Sequence, residues 1–297
     1  MQRETPLIAT PAPNNGARVF AYLWKFARAS PIGAVGGAIA LVMLVTAVTA
    51  PVLAPQNPYK INYDRLFAPP GAQFLLGSDE FGRDVLSRVI YGARISLYVA
   101  VLSVAIGQVG GTFFGVISGY FGGRADMAIQ RVMDTFMSLP ALVLALAIMA
   151  ALGASVDNVV LAIAIVQVPR TARIMRSSAL IIRANQFIEA ARAVGCSHWR
   201  ILSLHMLPNC MAPFIVISTA ALGQAILTEG SLSFLGMGTP PPTPSWGAML
   251  AGAGREYAEK APWLGIFPGL AMTLAVFGFN LLGDTLRDVL DPRMRKL

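Results

Sequence analysis

The stretch FIEAARAVGCSHWRILSLHMLPN (Phe187–Asn209) has the character of a soluble helical segment inside a mostly apolar chain. Its first part, Phe187–Val194, is rich in alanine and other good helix formers. Gly195 can end this helix in a left-handed cap, and Ser197 can then cap the start of a second helix. The residues alone suit a partner-docking element and a helix lying on a membrane surface equally well.

The composition of the whole chain indicates a membrane protein. Of 297 residues, 55% are hydrophobic and only 13% are charged, and the mean hydropathy is +0.61. Soluble domains carry about 25% charged residues. The net charge of +8 is typical of basic cytoplasmic loops, and we expect no nucleic-acid partner because no basic, aromatic-rich soluble domain is present. The two cysteines provide no disulfide framework.

Long runs without charged residues predict six transmembrane helices, since about 20 apolar residues cross a bilayer. The fourth run is the weakest, because Asp157 and Arg170 bracket its apolar centre. The first run follows basic residues, as in a signal peptide, but it is too long for one and we expect an uncleaved helix. The predicted spans are 31–53, 95–119, 132–153, 154–172, 207–229 and 262–284.

The distribution of Lys and Arg predicts the orientation. Six spans place both termini on the same side of the membrane, together with 16 of the 23 basic residues, and leave 7 on the other side. The positive-inside rule then puts both termini in the cytoplasm. The predicted organisation is a cytoplasmic tail (1–30), the first span, an extracytoplasmic loop (54–91), a core with the other five spans (92–288) that contains the cytoplasmic loop 173–206, and a second tail (289–297).

Small and polar residues inside the apolar runs give weaker signals. Glycines recur at every fourth position from Gly107 to Gly123, which makes a strip on which another helix can pack closely. We favour packing within the chain over a sliding or dimer surface. Four polar residues either line a substrate path or bind a neighbouring helix: Gln108, Gln167, Gln224 and Asn280. No charged residue is expected deep within a span, which disfavours an ion-coupled secondary transporter.

Motifs for catalysis are missing from the sequence. It has no GxSxG elbow, no HExxH and no GxxxxGK[ST] phosphate loop. The spacing of Cys196, His198, His205 and Cys210 fits no standard zinc pattern. We therefore expect neither a membrane-embedded enzyme nor a metal site, and no cofactor bound by this chain.

The pattern Glu189-Ala190-Ala191, three residues, Gly195 and then Leu207-Pro208 resembles the EAA loop of permease subunits of ATP-binding-cassette importers. The stretches 75–97, 231–250 and 279–293 resemble the dipeptide, oligopeptide and nickel branch of that family, and the likeness covers about residues 20–293.

Two departures from the family pattern are small. His205 replaces an isoleucine of the general EAA pattern, and Ser78 stands where many relatives have threonine. The stretch 75–97 has no evident role, and we expect an amphipathic element on the outer membrane face.

The resemblance implies an all-α integral membrane protein with the type I importer permease fold, in the bacterial inner membrane. Such a subunit is not catalytic and forms a translocation path by ATP-driven alternating access. The implied partners are a second related permease, two ATPase subunits that bind ATP and Mg²⁺, an extracytoplasmic substrate-binding protein and the lipid bilayer. Peptides are the implied substrates, with nickel chelates, glutathione or opine-like solutes as alternatives. The motif residues that would dock on an ATPase are Glu189, Ala190, Ala191, Gly195, Leu207 and Pro208.

Overall fold

The computed structural model describes Arg28 and residues 30–290, and this part of the chain is mainly helical. Most of the predicted tail 1–30, and residues 291–297 of the second tail, lie outside the described residues. A 3-10 turn (Tyr63–Arg65) and a π-helix (Ile201–Met206) accompany the α-helices. The α-helices are α1 (Pro31–Leu53), α2 (Val85–Phe121), α3 (Gly123–Met137), α4 (Ala141–Leu152), α5 (Val156–Arg183), α6 (Gln186–Ala193), α7 (His198–Arg200), α8 (Leu207–Asn209), α9 (Met211–Phe234), α10 (Trp246–Ala251), α11 (Ala253–Glu256) and α12 (Trp263–Leu290).

Five helices are long and apolar enough to cross a membrane, namely α1, α2, α5, α9 and α12, and the bent pair α3 and α4 can supply a sixth crossing. This agrees with the predicted six-span, all-helical fold. Helix α1 has the predicted bounds, whereas α2 begins ten residues early and α5 ends eleven residues late. Helix α9 is shifted to 211–234, and α12 runs on to Leu290. The helices outlast the apolar runs because charged turns remain helical beyond the hydrocarbon region.

The third predicted span, 132–153, is wrong as a single helix. The chain bends by 87° between α3 and α4. The bend falls at Ser138-Leu139-Pro140, where the proline ring disfavours helical backbone at the preceding residue. Pro140 itself is extended, with ψ of 135°. Leu139-Pro140 was the sequence signal for this break.

The two loops at one end of the bundle meet in a structure we call the cap, residues 54–84 and 235–262. Trp263 Nε1 donates to the Ser78 carbonyl at 3.1 Å. Arg88 Nη1 donates to the Pro58 carbonyl at 3.1 Å, and it reaches the Pro242 carbonyl at 3.5 Å. These bonds join both loops to the starts of α2 and α12.

The cap is organised around buried charged residues, which we call the charged hub: Asp79, Arg83 and Arg88. Arg83 Nε lies 2.6 Å and Arg88 Nε 3.4 Å from Asp79 Oδ2. All three residues are less than a tenth exposed. The expected amphipathic surface element at 75–97 is therefore wrong. Residues 75–84 fold into the cap and 85–97 begin α2, because the charges are paired with one another instead of facing the membrane surface.

Helices α2 and α5 pack along the glycine strip. A Cβ added to Gly111 would lie 2.4 Å from Thr171 Cβ, and one added to Gly115 would lie 2.4 Å from the Ala172 carbonyl oxygen. These distances leave no room for a side chain, so backbone meets backbone as in other small-residue helix contacts. Packing within the chain, the favoured interpretation of the strip, is confirmed for these positions. Elsewhere α1 packs on α12, and α9 packs on both α12 and α2.

Glu229 is a charged residue near the end of a candidate span, so the expectation that no charged residue lies deep within a span is not overturned. The structure places it in α9, five residues before Phe234, and it is fully buried. The sequence had suggested a loop beginning at Glu229, because charge normally marks the end of an apolar run.

Candidate functional site

The EAA segment, residues 186–209, begins with α6 and closes it in a Schellman motif. Gly195 has a φ of +79°, the predicted left-handed cap, which glycine adopts without a side-chain clash. The Cys196 N–H donates to the Ala191 carbonyl, and the Gly195 N–H donates to the Arg192 carbonyl, both at 3.0 Å. This pair of bonds defines the motif and fixes the direction in which the chain leaves α6.

Helix α6 seats one face on the bundle and exposes the other. Ile188 and Ala191 are buried and belong to an apolar cluster that includes Met175 of α5. Glu189 and Ala190 are exposed. Residues three apart share a helical face, so the spacing of Ile188 and Ala191 sets this division. Within the EAA triplet, Ala191 anchors the helix while the other two residues face outward.

The second half of the EAA segment starts at Ser197, whose hydroxyl accepts the Arg200 N–H at 3.4 Å. This is the predicted N-cap. The backbone is α-helical only as far as Arg200 and then widens into the π-helix, Ile201–Met206. Leu207 and Pro208 follow in α8, which continues directly from the π-helix.

Tyr120 connects the end of α2 to the EAA segment. Its hydroxyl lies 2.8 Å from Nδ1 of His198, and its ring lies 5.2 Å from the Arg192 guanidinium. Tyr120 is buried at 2% exposure, so both contacts are held in place. Sequence reasoning missed this link because Tyr120 and His198 are 78 residues apart, and no local pattern joins them.

The EAA segment exposes large apolar side chains. Val194 is 79% exposed, Trp199 70%, Leu204 60% and Phe187 43%. Single exposed apolar residues are common, but this many within 18 residues are typical of a contact surface for a partner or a membrane. A large aromatic residue in a basic loop is the signal in the sequence that points to Trp199.

A second candidate site is a cavity of about 560 Å³ lined by α2, α3, α4, α5 and α9. Three of the four predicted path residues, Gln108, Gln167 and Gln224, line it. Gln108 Nε2 donates to Gln167 Oε1 at 3.2 Å, and the Thr171 hydroxyl donates to Gln108 Oε1 at 3.0 Å. Gln108 and Gln167 therefore bind each other across two helices, as the interhelical interpretation expects, and both also line the cavity.

Gln167 and Asn280 differ in their surroundings. Gln167 Nε2 is buried and has no hydrogen-bond partner among the described residues. Asn280 does not line the cavity. It is exposed on α12, and its Oδ1 lies 2.7 Å from where a Cβ on Gly223 would stand.

The family model for the inner membrane component of binding-protein-dependent transport systems matches residues 111–296. This chain belongs to that family. The transport component also matches, over residues 20–70, the N-terminal transmembrane domain of oligopeptide transport permease C. Its multiple apolar helices and this membership place it in the inner membrane as a multi-pass protein.

Individual relatives cover most of this transport component. The di/tripeptide transport system permease protein DppC of Pseudomonas aeruginosa is 44% identical over 270 residues, which is 89% of each chain. The glutathione transport system permease protein GsiD of Pectobacterium atrosepticum is 40% identical over 92% of this chain and 90% of its own.

A solved structure supports the fold alone. An inward-facing form of the MetNI methionine ABC transporter has a chain that superposes with a TM-score of 0.56, at 16% identity, over 69% of this chain and 96% of the solved one. The transport component therefore has the architecture of a type I importer permease.

The Cys and His residues of the EAA segment are separated in the structure. His198 Nδ1 is engaged by Tyr120, and Cys210 is fully buried in the apolar cluster beneath α6. Among the described residues, no three His, Cys, Asp or Glu side chains form a group that could hold a metal ion.

Proposed function

We propose that this chain is the transmembrane permease subunit of an ATP-binding-cassette importer for dipeptides or oligopeptides. Family membership supports the transport role, and the 44% identical di/tripeptide permease supports the substrate class. The observation that carries the proposal is the EAA segment, a rigidly capped helix pair that leaves Glu189 and Trp199 exposed at one end of the bundle.

The subunit itself is non-catalytic in this proposal. Two separate ATPase subunits bind ATP and Mg²⁺, and α6 docks on one of them. A second related permease completes the path, and an extracytoplasmic binding protein delivers the solute. The excess of Lys and Arg on one side puts the termini and the EAA segment in the cytoplasm and the cap outside.

Force would pass from the ATPases to the spans through packed elements. Closure of the ATPases moves α6, and the buried Ile188 and Ala191 carry that motion into α5 and the π-helix. The Schellman motif at Gly195 keeps the two halves of the EAA segment at a fixed angle. Discrete packed helices of this kind switch between arrangements instead of deforming gradually.

The cavity is the proposed substrate path, with Gln108, Gln167 and Gln224 as its polar lining. Amide side chains both donate and accept hydrogen bonds, which suits the peptide groups of a substrate. Asn280 remains a weaker candidate because it lies outside the cavity.

Glutathione is the second candidate substrate, because a 40% identical relative carries that name. Nickel chelates and opine-like solutes remain further alternatives. Ligand binding by the cognate binding protein decides among them, since purified binding protein titrated with a dipeptide, glutathione and a nickel chelate should respond to one class.

The docking role is tested by Glu189→Lys and Gly195→Asp. Both variants should insert normally, lose most peptide uptake and co-purify less with the ATPase subunits. Glu259→Lys is the matched control, because Glu259 is an exposed carboxylate in the cap, at the other end of the bundle. Normal uptake and normal co-purification in both EAA variants would refute docking through α6.

An ion-coupled transporter is the remaining competitor. Uptake into membrane vesicles separates the two, because an importer driven by ATPases stops when ATP is removed and persists when a protonophore collapses the proton gradient. The opposite pattern would reject the proposal.

A further inference from the structure

Glu229 is a fully buried carboxyl that neither the EAA segment nor the cavity uses. Ser233 Oγ donates to its Oε1 at 2.8 Å, and Ser96 Oγ donates to its Oε2 at 3.2 Å. Ser245, which precedes α10, also interacts with the carboxyl. A buried carboxyl is costly unless its oxygens are satisfied. These hydroxyls come from α2, α9 and the residue that precedes α10, so Glu229 joins three elements.

The Glu229 carboxyl sets the direction in which the surrounding serine hydroxyls donate their protons. A serine hydroxyl has one proton to donate and two lone pairs to accept with. Once that proton points at the carboxyl, the lone pairs are free for backbone N–H groups. Ser96 Oγ accepts the Trp246 N–H at 3.3 Å, and Ser245 Oγ accepts the Ala248 N–H at 3.2 Å. Both serine oxygens accept from backbone N–H groups in the first turn of α10. The Glu229 carboxyl therefore orders the start of that helix through the two serines.

Helix α10 is seated closely on the same helices. Trp246 is 1% exposed, and its Nε1 donates to the Val89 carbonyl of α2 at 3.0 Å. A Cβ added to Gly92 would lie 2.9 Å from Trp246 Cδ1, and one added to Gly247 would lie 2.6 Å from Gly230 Cα. Neither glycine has room for a side chain. A small displacement of α10 would therefore break the Ser96 bond and open this contact.

We propose that Glu229 is a positioning residue for transport, which holds α10 against α2 and α9 through Ser96 and Ser245. The cap then presents one fixed shape on the side where the proposed function places the binding protein. This consequence for transport rests on the proposed function, whereas the seating of α10 does not. Glu229 touches no substrate in this role and acts only through α10.

The seating is tested by cysteine labelling at Met249, which is 9% exposed on α10 and packs against Val85 and Leu264. The parent is the full complex in lipid nanodiscs, with Cys196→Ser, Cys210→Ala and Met249→Cys, treated with a membrane-impermeant maleimide. Glu229→Leu keeps the volume and removes every acceptor. Loss of a hydrogen bond to a charged group shifts an opening equilibrium by about tenfold or more. Maleimide labelling at position 249 should therefore accelerate by about tenfold.

Two further variants and a control sharpen the labelling result. Ser96→Ala removes the relay and should accelerate labelling similarly. The double variant should be no faster than Glu229→Leu alone, because both act on one linkage. Glu259→Leu alters an exposed cap carboxylate and should leave the rate unchanged. The proposal is overturned if both single variants are labelled at the parent rate. It is also overturned if the acceleration in the double variant equals the product of the two single accelerations. Ser96→Ala decides the matter if Glu229→Leu fails to assemble.

A functional measurement separates positioning from general damage. In variants that assemble, basal ATPase activity of the complex should match the parent, while the concentration of loaded binding protein that gives half-maximal ATPase stimulation should rise severalfold. Unchanged half-maximal concentrations alongside accelerated labelling would overturn the transport consequence. A parent complex that responds to no binding protein would instead reject the proposed function and leave the labelling result to stand on its own.

Discussion

The two ends of the bundle have opposite chemistry. In the cap, charged residues are buried, since Asp79 is 4% exposed and Arg83 8%. In the EAA segment, apolar residues are exposed, since Val194 is 79% exposed and Trp199 70%. The cap therefore satisfies its own charges, whereas the EAA segment presents a surface that another protein can cover. The difference identifies which end is built as a fixed structure and which as a contact.

Helix α2 connects these two ends. Its 37 residues span about 55 Å at 1.5 Å per residue. Arg88 of the charged hub lies near its start, and Tyr120, which holds His198, lies near its end. Changes at either end, and in the packing between them, should therefore have distinct consequences.

The largest expected effect comes from Asp79→Asn in the charged hub. Removing this charge leaves the buried Arg88 without its carboxylate and Arg83 with only its longer contact to Glu80, and breaking a buried pair costs about 3–5 kcal/mol. Amide hydrogen exchange over residues 54–84 should accelerate strongly, and the unfolding temperature of the complex should fall. The matched control is Asp64→Asn, an exposed carboxylate in the same loop. Equal exchange rates in the two variants would contradict a structural role for the hub.

The packing between the ends is tested by Gly115→Ala. The added Cβ would lie 2.4 Å from a backbone oxygen of α5, which cannot move without separating the helices. Overpacking of this kind costs about 1–3 kcal/mol. Gly110→Ala is the control on the same helix, because its Cβ meets only the end of the Val168 side chain at 3.3 Å. A lower unfolding temperature is expected for the first variant, and similar values for both would count against the tight α2–α5 contact.

The span pattern was predictable from the sequence because long apolar runs need no tertiary information. The Schellman cap at Gly195 was predictable for the same reason, since a glycine after a run of helix formers is a local signal. The break at Leu139-Pro140 was equally local and was overlooked because the run around it is free of charge.

The buried charges were beyond prediction from one sequence. Asp79 and Arg83 look like ordinary loop residues, and Glu229 looks like the end of a span. Their burial depends on Pro58, Pro242 and Ser96, which are distant in the chain and come close only in the folded structure. The cavity was also beyond prediction from the sequence, because α2, α5 and α9 each contribute one of its glutamines.

The exposed end is tested by Trp199→Ala. Trp199 is 70% exposed and contributes little to folding. The free energy of unfolding of the isolated subunit should therefore change by no more than about 0.5 kcal/mol, as expected for surface substitutions. Loss of a buried interface tryptophan costs more than about 1 kcal/mol, and co-purification with the ATPase subunits should fall. Tyr63→Ala is the matched control, because Tyr63 is 72% exposed in the cap. An equal loss of co-purified ATPase subunits in both variants would contradict the view that the EAA segment, and not the cap, is the contact surface for the ATPases.

The smallest expected effect is the pH dependence of the cap at Glu80. Burial, followed by repulsion from Asp79, raises the pKa of this carboxyl above its ordinary value of 4.5. Arg83 Nη2 lies 3.3 Å from Oε1, while Oε2 has no hydrogen-bond partner among the described residues. The folded cap therefore binds this proton more tightly than the unfolded chain does. Its stability is highest below the ordinary pKa and falls as the pH rises through the interval up to the raised pKa.

Glu80→Gln removes the ionisable group that causes this fall. The variant cap should keep a nearly constant stability across that interval, and above it the variant should be slightly more stable than the parent. Hydrogen exchange of residues 76–84, measured at a series of pH values and corrected for intrinsic rates, gives this comparison. Glu259→Gln should follow the parent, because that carboxylate is exposed. A parent cap that gains stability as the pH rises through the interval would mean that attraction to Arg83 outweighs burial, and that the charged hub extends to Glu80.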